Sequence, residues 1–168
     1  MNNYLRVLAA DVLMYNWDSY YDHGRNFYMY YDSLAQAFQW IPWDYNLAFS
    51  NTATDIVVTS GGWGSEPKPL VDNVMDSDVY RKMYFNHLCI LAENYFNLEN
   101  LETFIDETEA LIEDAVDEDP NKLSTTADFH NNIDNNVSLM VGGWWTEFPG
   151  LKPFFENRYD EVMGQLAG

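Results

Sequence analysis

The sequence predicts an α+β chain that is mainly α, with one β-hairpin and about five helices. Three observations predict it. Apolar residues recur at helical spacing over most of the chain, and two short aromatic runs near its start alternate in strand fashion. Its 168 residues, 47% hydrophobic and 17% aromatic, can bury a core without disulfide staples. Residues 1–168 are expected to form a single domain: 1–50 a helix plus hairpin, 51–69 an irregular loop, and 70–168 helical.

Leu5, Leu8, Val12, Leu13 and Tyr15 place an amphipathic helix over residues 3 to about 16. The runs Asn26 to Asp32 and Phe38 to Asp44 then alternate as strands, separated by Ser33 to Ala37. With the hairpin centred on Ala35, antiparallel pairing sets Tyr31 against Gln39 and Asn26 against Asp44 at the open end. Residues 45 to 69 have no clear period and contain Gly61-Gly62-Trp63-Gly64 and Pro67-Lys68-Pro69, a long irregular segment of the kind that is usually functional. From Pro69 the pattern is helical. Asp76-Ser77-Asp78 caps a helix through Met83, His87, Leu91 and Tyr95; Asn97 caps another through Leu101, Ile105, Ile112 and Val116, closed by Pro120. Two further helices, roughly Thr126 to Met140 and Leu151 to Leu166, flank a break from Gly142 to Gly150.

Charge narrows the function classes. Eight basic residues against 27 acidic ones give a net charge of -19, a field that repels nucleic-acid phosphates and anionic membrane surfaces and attracts divalent cations. No apolar run is long enough to span a membrane, and Asn2-Asn3-Tyr4 lacks the positive charge of a secretory signal. The single cysteine, Cys89, lies among apolar residues and reads as a buried, inert thiol. A helical pattern begins within three residues of Met1, which raises the expectation of a further upstream portion in a longer protein.

Three oxygen-bearing side chains cluster around the hairpin: Asp18 after the first helix, Asn26 at the start of one strand and Asp44 at the end of the other. One or two carboxylates with an amide oxygen, completed by water and phosphate, suit magnesium. Taken singly, an Asp after a helix or strand more often makes a cap or an Asx turn, and the paired register does not by itself reverse those odds.

The series Asn3-Tyr4-Leu5-Arg6, Asn16-Trp17-Asp18-Ser19-Tyr20, Arg25-Asn26-Phe27-Tyr28-Met29-Tyr30 and Ile41-Pro42-Trp43-Asp44-Tyr45-Asn46-Leu47-Ala48-Phe49 resembles the spore coat protein H (CotH) kinase family. The likeness continues through Pro69-Leu70-Val71, Asp119-Pro120-Asn121-Lys122 and the last helix with Arg158. The Asn-Trp-Asp and Ile-Pro-Trp-Asp pair carries most of its specificity. The resemblance implies an atypical protein-kinase-like carboxyl-terminal lobe. It also implies magnesium-dependent, or manganese-dependent, phosphoryl transfer from ATP to a Ser or Thr hydroxyl of a protein substrate. On this resemblance Asp18 takes the catalytic-loop role and can also reach the metal, while Asn26 and Asp44 hold the metal and through it the nucleotide. A spore coat or cell-surface setting is implied in the same way. Tyr28 and Trp43 read as packing residues of the site wall. A typical catalytic loop puts its Asn about five positions after the Asp. Asn26 lies eight after Asp18, so Ser19 to Arg25 must bulge. Asn46 and Ser50 stand where the family usually has Asp and Gly. No glycine-rich loop or nucleotide-binding Lys precedes the site within this chain.

Other motifs have plainer readings. The acidic run Asp106 to Asp119 alternates with Ile105, Leu111, Ile112 and Val116 as the solvated face of a helix does. Gly61-Gly62-Trp63-Gly64 lacks the Lys of a phosphate loop and reads as a turn, and His23, His87 and His130 have no zinc-ligand spacing, although His23 is near Asp18. Asn136-Val137-Ser138 matches a glycosylation acceptor inside an expected helix. Two other classes compete with the kinase reading. One is a non-catalytic structural or interaction module of a coat or extracellular assembly, anchored through Trp63, Trp144 and Trp145. The other is a glycosidase using Asp18 and Asp44 as acid and base.

Arg25 is the only cation adjacent in sequence to the three site residues, so the isolated chain is expected to turn over little or not at all. With labelled ATP, magnesium or manganese and a serine-rich acceptor, phosphate incorporation should stay at the level of an Asp18→Ala control. Robust incorporation that vanishes in the control contradicts this.

Overall fold

The computed structural model describes residues 1–50, 53–60, 66–141 and 143–168. The elements run α1 (Asn2–Leu13), α2 (Tyr20–His23), β1 (Phe27–Asp32), β2 (Ala37–Pro42), α3 (Pro69–Asp76), α4 (Asp78–Tyr95), α5 (Leu98–Glu118), α6 (Thr126–Asn131), β3 (Val137–Val141), β4 (Trp144–Phe148) and α7 (Leu151–Ala167). The class is α+β and mainly α, as expected. The described residues hold two antiparallel hairpins where one was expected, and seven helices where about five were. The Gly61-Gly62-Trp63-Gly64 turn and the Trp63 anchor lie outside the described residues.

The second hairpin corrects the helix expected from Thr126 to Met140. Helix α6 starts on a reciprocal capping box between Thr125 and Asp128, but it runs into Asn131-Asn132-Ile133-Asp134-Asn135-Asn136. Asn132 and Asn136 in this run bond the backbone through their side chains and compete with the helical ladder. Asn132 donates to the carbonyls of Asn135 at 3.1 Å and Pro149 at 3.0 Å, and the Asn136 side-chain oxygen accepts from Gly150 N–H at 3.2 Å. The chain then folds back, Val137 opposite Phe148 and Val141 opposite Trp144. Gly150 is required here, because a Cβ would stand 2.7 Å from the backbone nitrogen of Asn135.

The first hairpin forms where expected but one residue out of the expected register. Tyr31 faces Phe38, not Gln39, and Phe27 faces Pro42. The turn explains it. Asp32 Oδ1 accepts from Leu34 N–H at 2.9 Å and Ala35 N–H at 3.1 Å, and Gln36 takes a left-handed φ of 48°, so the loop centre falls between Leu34 and Ala35.

Helix α1 lies against α4, with α3 and α7 also packed on α4. Leu5, Leu8, Val12, Val71, Leu88 and Phe154 are among the core side chains. Ser77 caps α4 and Asn97 caps α5 through their side chains. No helix among the described residues is long and apolar enough to cross a membrane. Cys89 is half-buried on α4, not in the core, and its thiol is raised by desolvation and by Glu93.

The carboxyl end of α1 is held by a fully buried guanidinium. Arg158 of α7 donates to the carbonyls of Leu13 at 3.3 Å and Val12 at 2.9 Å, at the end where a helix leaves acceptors orphaned, and to the Thr54 carbonyl of the following segment at 2.8 Å. Arg158→Leu strips those partners and is expected to lower the unfolding free energy by about 3 kcal/mol. Denaturant unfolding of the purified variant checks this, and a midpoint unchanged from the parent rules it out.

Candidate functional site

The site begins where α1 ends. Tyr15, with φ 47°, breaks the helix, and the chain turns through Asn16 and Trp17 to Asp18. The eight-residue separation of Asp18 and Asn26 is taken up by α2. Ser19 starts this single turn, and Gly24 at φ 72° ends it, its N–H donating to Ser19 O and Tyr20 O. That turn brings Asn26 back to Asp18: the Asn26 amide donates to the Asp18 carbonyl at 2.8 Å and to Asp18 Oδ2 at 2.9 Å. Arg25 Nε donates to the other oxygen, Oδ1, at 2.6 Å, and its guanidinium closes an ion pair on the same atom. Asp18 is buried. His23 donates from Nδ1 to the Trp17 carbonyl at 3.0 Å and packs edge-on against the Trp17 ring, so it fastens the loop instead of facing Asp18.

Asn26 and Asp44 bracket the hairpin, one residue before β1 and two after β2, and both take left-handed backbone angles, 58° and 61°. Asn and Asp accept that region better than most residues, and such angles gather at functional sites. The Asp44 carboxylate is exposed and makes no hydrogen bond to Asp18 or Asn26. The structure therefore joins Asp18 and Asn26 and leaves Asp44 at the same open end of the hairpin, unbonded to them. Tyr28 and Trp43 touch edge to face with ring centroids 5.4 Å apart, and both are exposed. Beneath them Phe27 stacks on Trp40 at 4.2 Å, with Tyr4 and Tyr20 edge-on to Trp40, which seats the hairpin on α1 and α2.

Two buried residues that composition and spacing did not single out lie beside these segments. Asp11, on the core face of α1 with Leu8 and Val12, accepts from the Tyr45 hydroxyl at 2.6 Å and the Asn16 amide at 3.1 Å. Its signal in the sequence is a charge at an apolar helical position. Burial raises its carboxyl from 3.8 to about 6, against the opposing effect of the two bonds. Lys68 is buried beside the loop, its Cε 4.0 Å from where a Gly24 Cβ would stand. Next to it Leu70 N–H donates to the Tyr20 hydroxyl at 3.3 Å.

A cleft of about 430 Å³ opens beside the loop, lined by Trp17, Asp22, His23, Leu47 and Phe148 among others. Among the described residues no three Asp, Glu, His or Cys side chains gather to hold an ion by themselves. Asp18, Asn26 and Asp44 are nevertheless an oxygen set of magnesium's kind. Asn26 commits its N–H groups to Asp18, and among the described residues the Asn26 Oδ1, the atom a hard cation takes, is uncommitted.

The raised carboxyl of Asp11 makes stability depend on pH. The folded state favours the proton, so this stabilisation is complete below about pH 4 and is lost as pH rises through about 6, by on the order of 3 kcal/mol. Asp11→Asn keeps an acceptor for Tyr45 and has no charge to bury. The stability of the parent minus that of Asp11→Asn should fall between pH 4 and pH 7 in denaturant titrations. A flat difference contradicts the assignment.

The family model described as "CotH kinase protein" matches residues 1–162. No curated protein sequence matches the chain.

Proposed function

Since the chain belongs to the CotH kinase family over residues 1–162, we propose that its Asp18, Asn26 and Asp44 form the metal- and acceptor-binding side of a phosphoryl-transfer site. The reaction is transfer from ATP to a Ser or Thr hydroxyl of a protein. The observation that carries the reading is the bond from the Asn26 amide to Asp18, which closes a widely spaced pair into one unit.

In this reading Asp18 orients the acceptor hydroxyl and takes its proton as the oxygen–phosphorus bond forms and the bond to the nucleoside diphosphate breaks. A carboxylate offers about four lone-pair sites. Asn26 and Arg25 take up part of that capacity and fix its orientation, which leaves room for the hydroxyl. Asn26 Oδ1 and the Asp44 carboxylate would hold a divalent cation, which supplies charge neutralisation to the triphosphate. Arg25, more than half exposed, can release Asp18 and meet a phosphate oxygen instead. A second reading, a non-catalytic interaction module, is favoured by one observation: Trp144 and Trp145 of the second hairpin are largely exposed.

Asp44→Ala is expected to abolish magnesium-dependent nucleotide binding while leaving the fold intact, because an exposed carboxylate in an acidic chain adds little packing and its loss relieves repulsion. Calorimetric titration beside a thermal melt separates the outcomes. A variant that binds magnesium nucleotide like the parent removes Asp44 from the site, and one that unfolds makes it structural.

A further inference from the structure

Helix α5 has two apolar stripes. Leu98, Leu101 and Ile105 face the core. Phe104, Leu111 and Ala115, spaced i, i+7 and i+11, lie about a quarter turn round the helix on its surface. Phe104 is 65% and Leu111 82% exposed. The acidic row Glu107, Asp114 and Glu118 repeats the same spacing three residues on, so it runs alongside the second stripe, and all three side chains are exposed. The helix contains no basic residue. Two lysines and a histidine from the rest of the chain reach other parts of it. Lys152 lies 2.8 Å from Asp106 and 3.6 Å from Glu102, His130 lies 2.8 Å from Glu109, and Lys122 donates to the carbonyls of Val116 and Asp117. Among the described residues none pairs with Glu107, Asp114 or Glu118.

From this pairing of an uncovered apolar stripe with an unneutralised acidic row, we infer that α5 is a docking surface for a cationic amphipathic helix of another protein. The partner seats its apolar residues on Phe104, Leu111 and Ala115, and its Lys or Arg side chains meet Glu107, Asp114 and Glu118. Large apolar side chains at i and i+7 are the anchors by which one helix accepts another. The charge selects the occupant. A second copy would set one acidic row against another on chains of net charge -19, and an anionic lipid surface would be repelled in the same way. This inference stands apart from the reading of the phosphoryl-transfer site and survives its failure.

A fluorescent Lys/Leu peptide with one apolar helical face, titrated into the full chain by anisotropy, tests it. Saturable binding is expected, weakened at least about tenfold in Phe104→Ser/Leu111→Ser and weakened by salt and by Glu107→Gln/Asp114→Asn/Glu118→Gln. A peptide of equal composition, shuffled so that it has no apolar face, should bind at least about tenfold more weakly. Equal binding of the shuffled peptide would reduce the effect to bulk charge and overturn the inference. So would binding unchanged by the serine pair, or no saturable binding. Self-association abolished by the serine pair would make a second copy the occupant and also overturn it. Should thermal melts show the serine pair unfolded, the charge-neutralised variant decides alone, and its binding like the parent overturns the inference.

Discussion

The buried carboxylate of Asp11 is the constraint on which the arrangement around the site depends. It stands on α1, yet its partners are Asn16, at the entrance to the Asp18 loop, and Tyr45, immediately after Asp44. One oxygen, Oδ1, thereby ties together the two chain segments that carry the site's carboxylates. Burying a charge is costly unless it is hydrogen-bonded, so both partners are needed where they are. Two other bonds hold the chain on either side of Asp44: Trp40 N–H donates to the Asn3 side chain of α1 at 2.6 Å, and Phe49 N–H to the carbonyl of Met14, the cap of α1, at 2.8 Å. The hairpin is thus pinned near both ends of one helix, and that helix is locked at its carboxyl end by Arg158.

Strain is concentrated in the same place. Tyr15 and Phe49 take left-handed backbone angles that bulky side chains resist, and they flank the stretches leading to Asp18 and away from Asp44. Packing holds them: the Phe49 ring lies against Phe154 and Phe155 of α7. A rigid helical base therefore supports a hairpin whose outer aromatic side chains, Tyr28, Tyr30, Phe38 and Trp43, remain exposed. The fold spends its packing on positioning the inner end of the hairpin, where Phe27 and Trp40 stack, and leaves the outer face to solvent.

What the sequence made legible follows from which forces are local. Helical periodicity and the caps at Ser77 and Asn97 are local, and α4 and α5 begin where those caps stand. The first hairpin was legible from its alternation, but its register was set by a side chain, Asp32, building the turn, and that shifted every pair by one. The second hairpin carried a signal that helical apolar spacing concealed: two strand-prone runs, Val137 to Val141 and Trp144 to Phe148, joined by Gly142-Gly143. Asp18 and Asn26 were legible as candidates from their order in the chain. The helical turn that unites them depends on Gly24, and the bond itself is tertiary. Asp11 and Lys68 were not picked out, because each owes its place to burial by segments far away in sequence.

On the proposed reading, a divalent cation and nucleotide meet the chain at Asn26 and Asp44, beside Asp18. Paramagnetic broadening by manganese, read in nitrogen-15 spectra with a non-hydrolysable ATP analogue present, distinguishes this site from the acidic surface. The side-chain amide of Asn26 and the backbone amides of Asp18, Asp44 and Tyr45 should broaden first, at manganese concentrations that leave α5 untouched. Broadening that begins along the carboxylates of α5, with Asn26 and Asp44 unaffected, would contradict that reading.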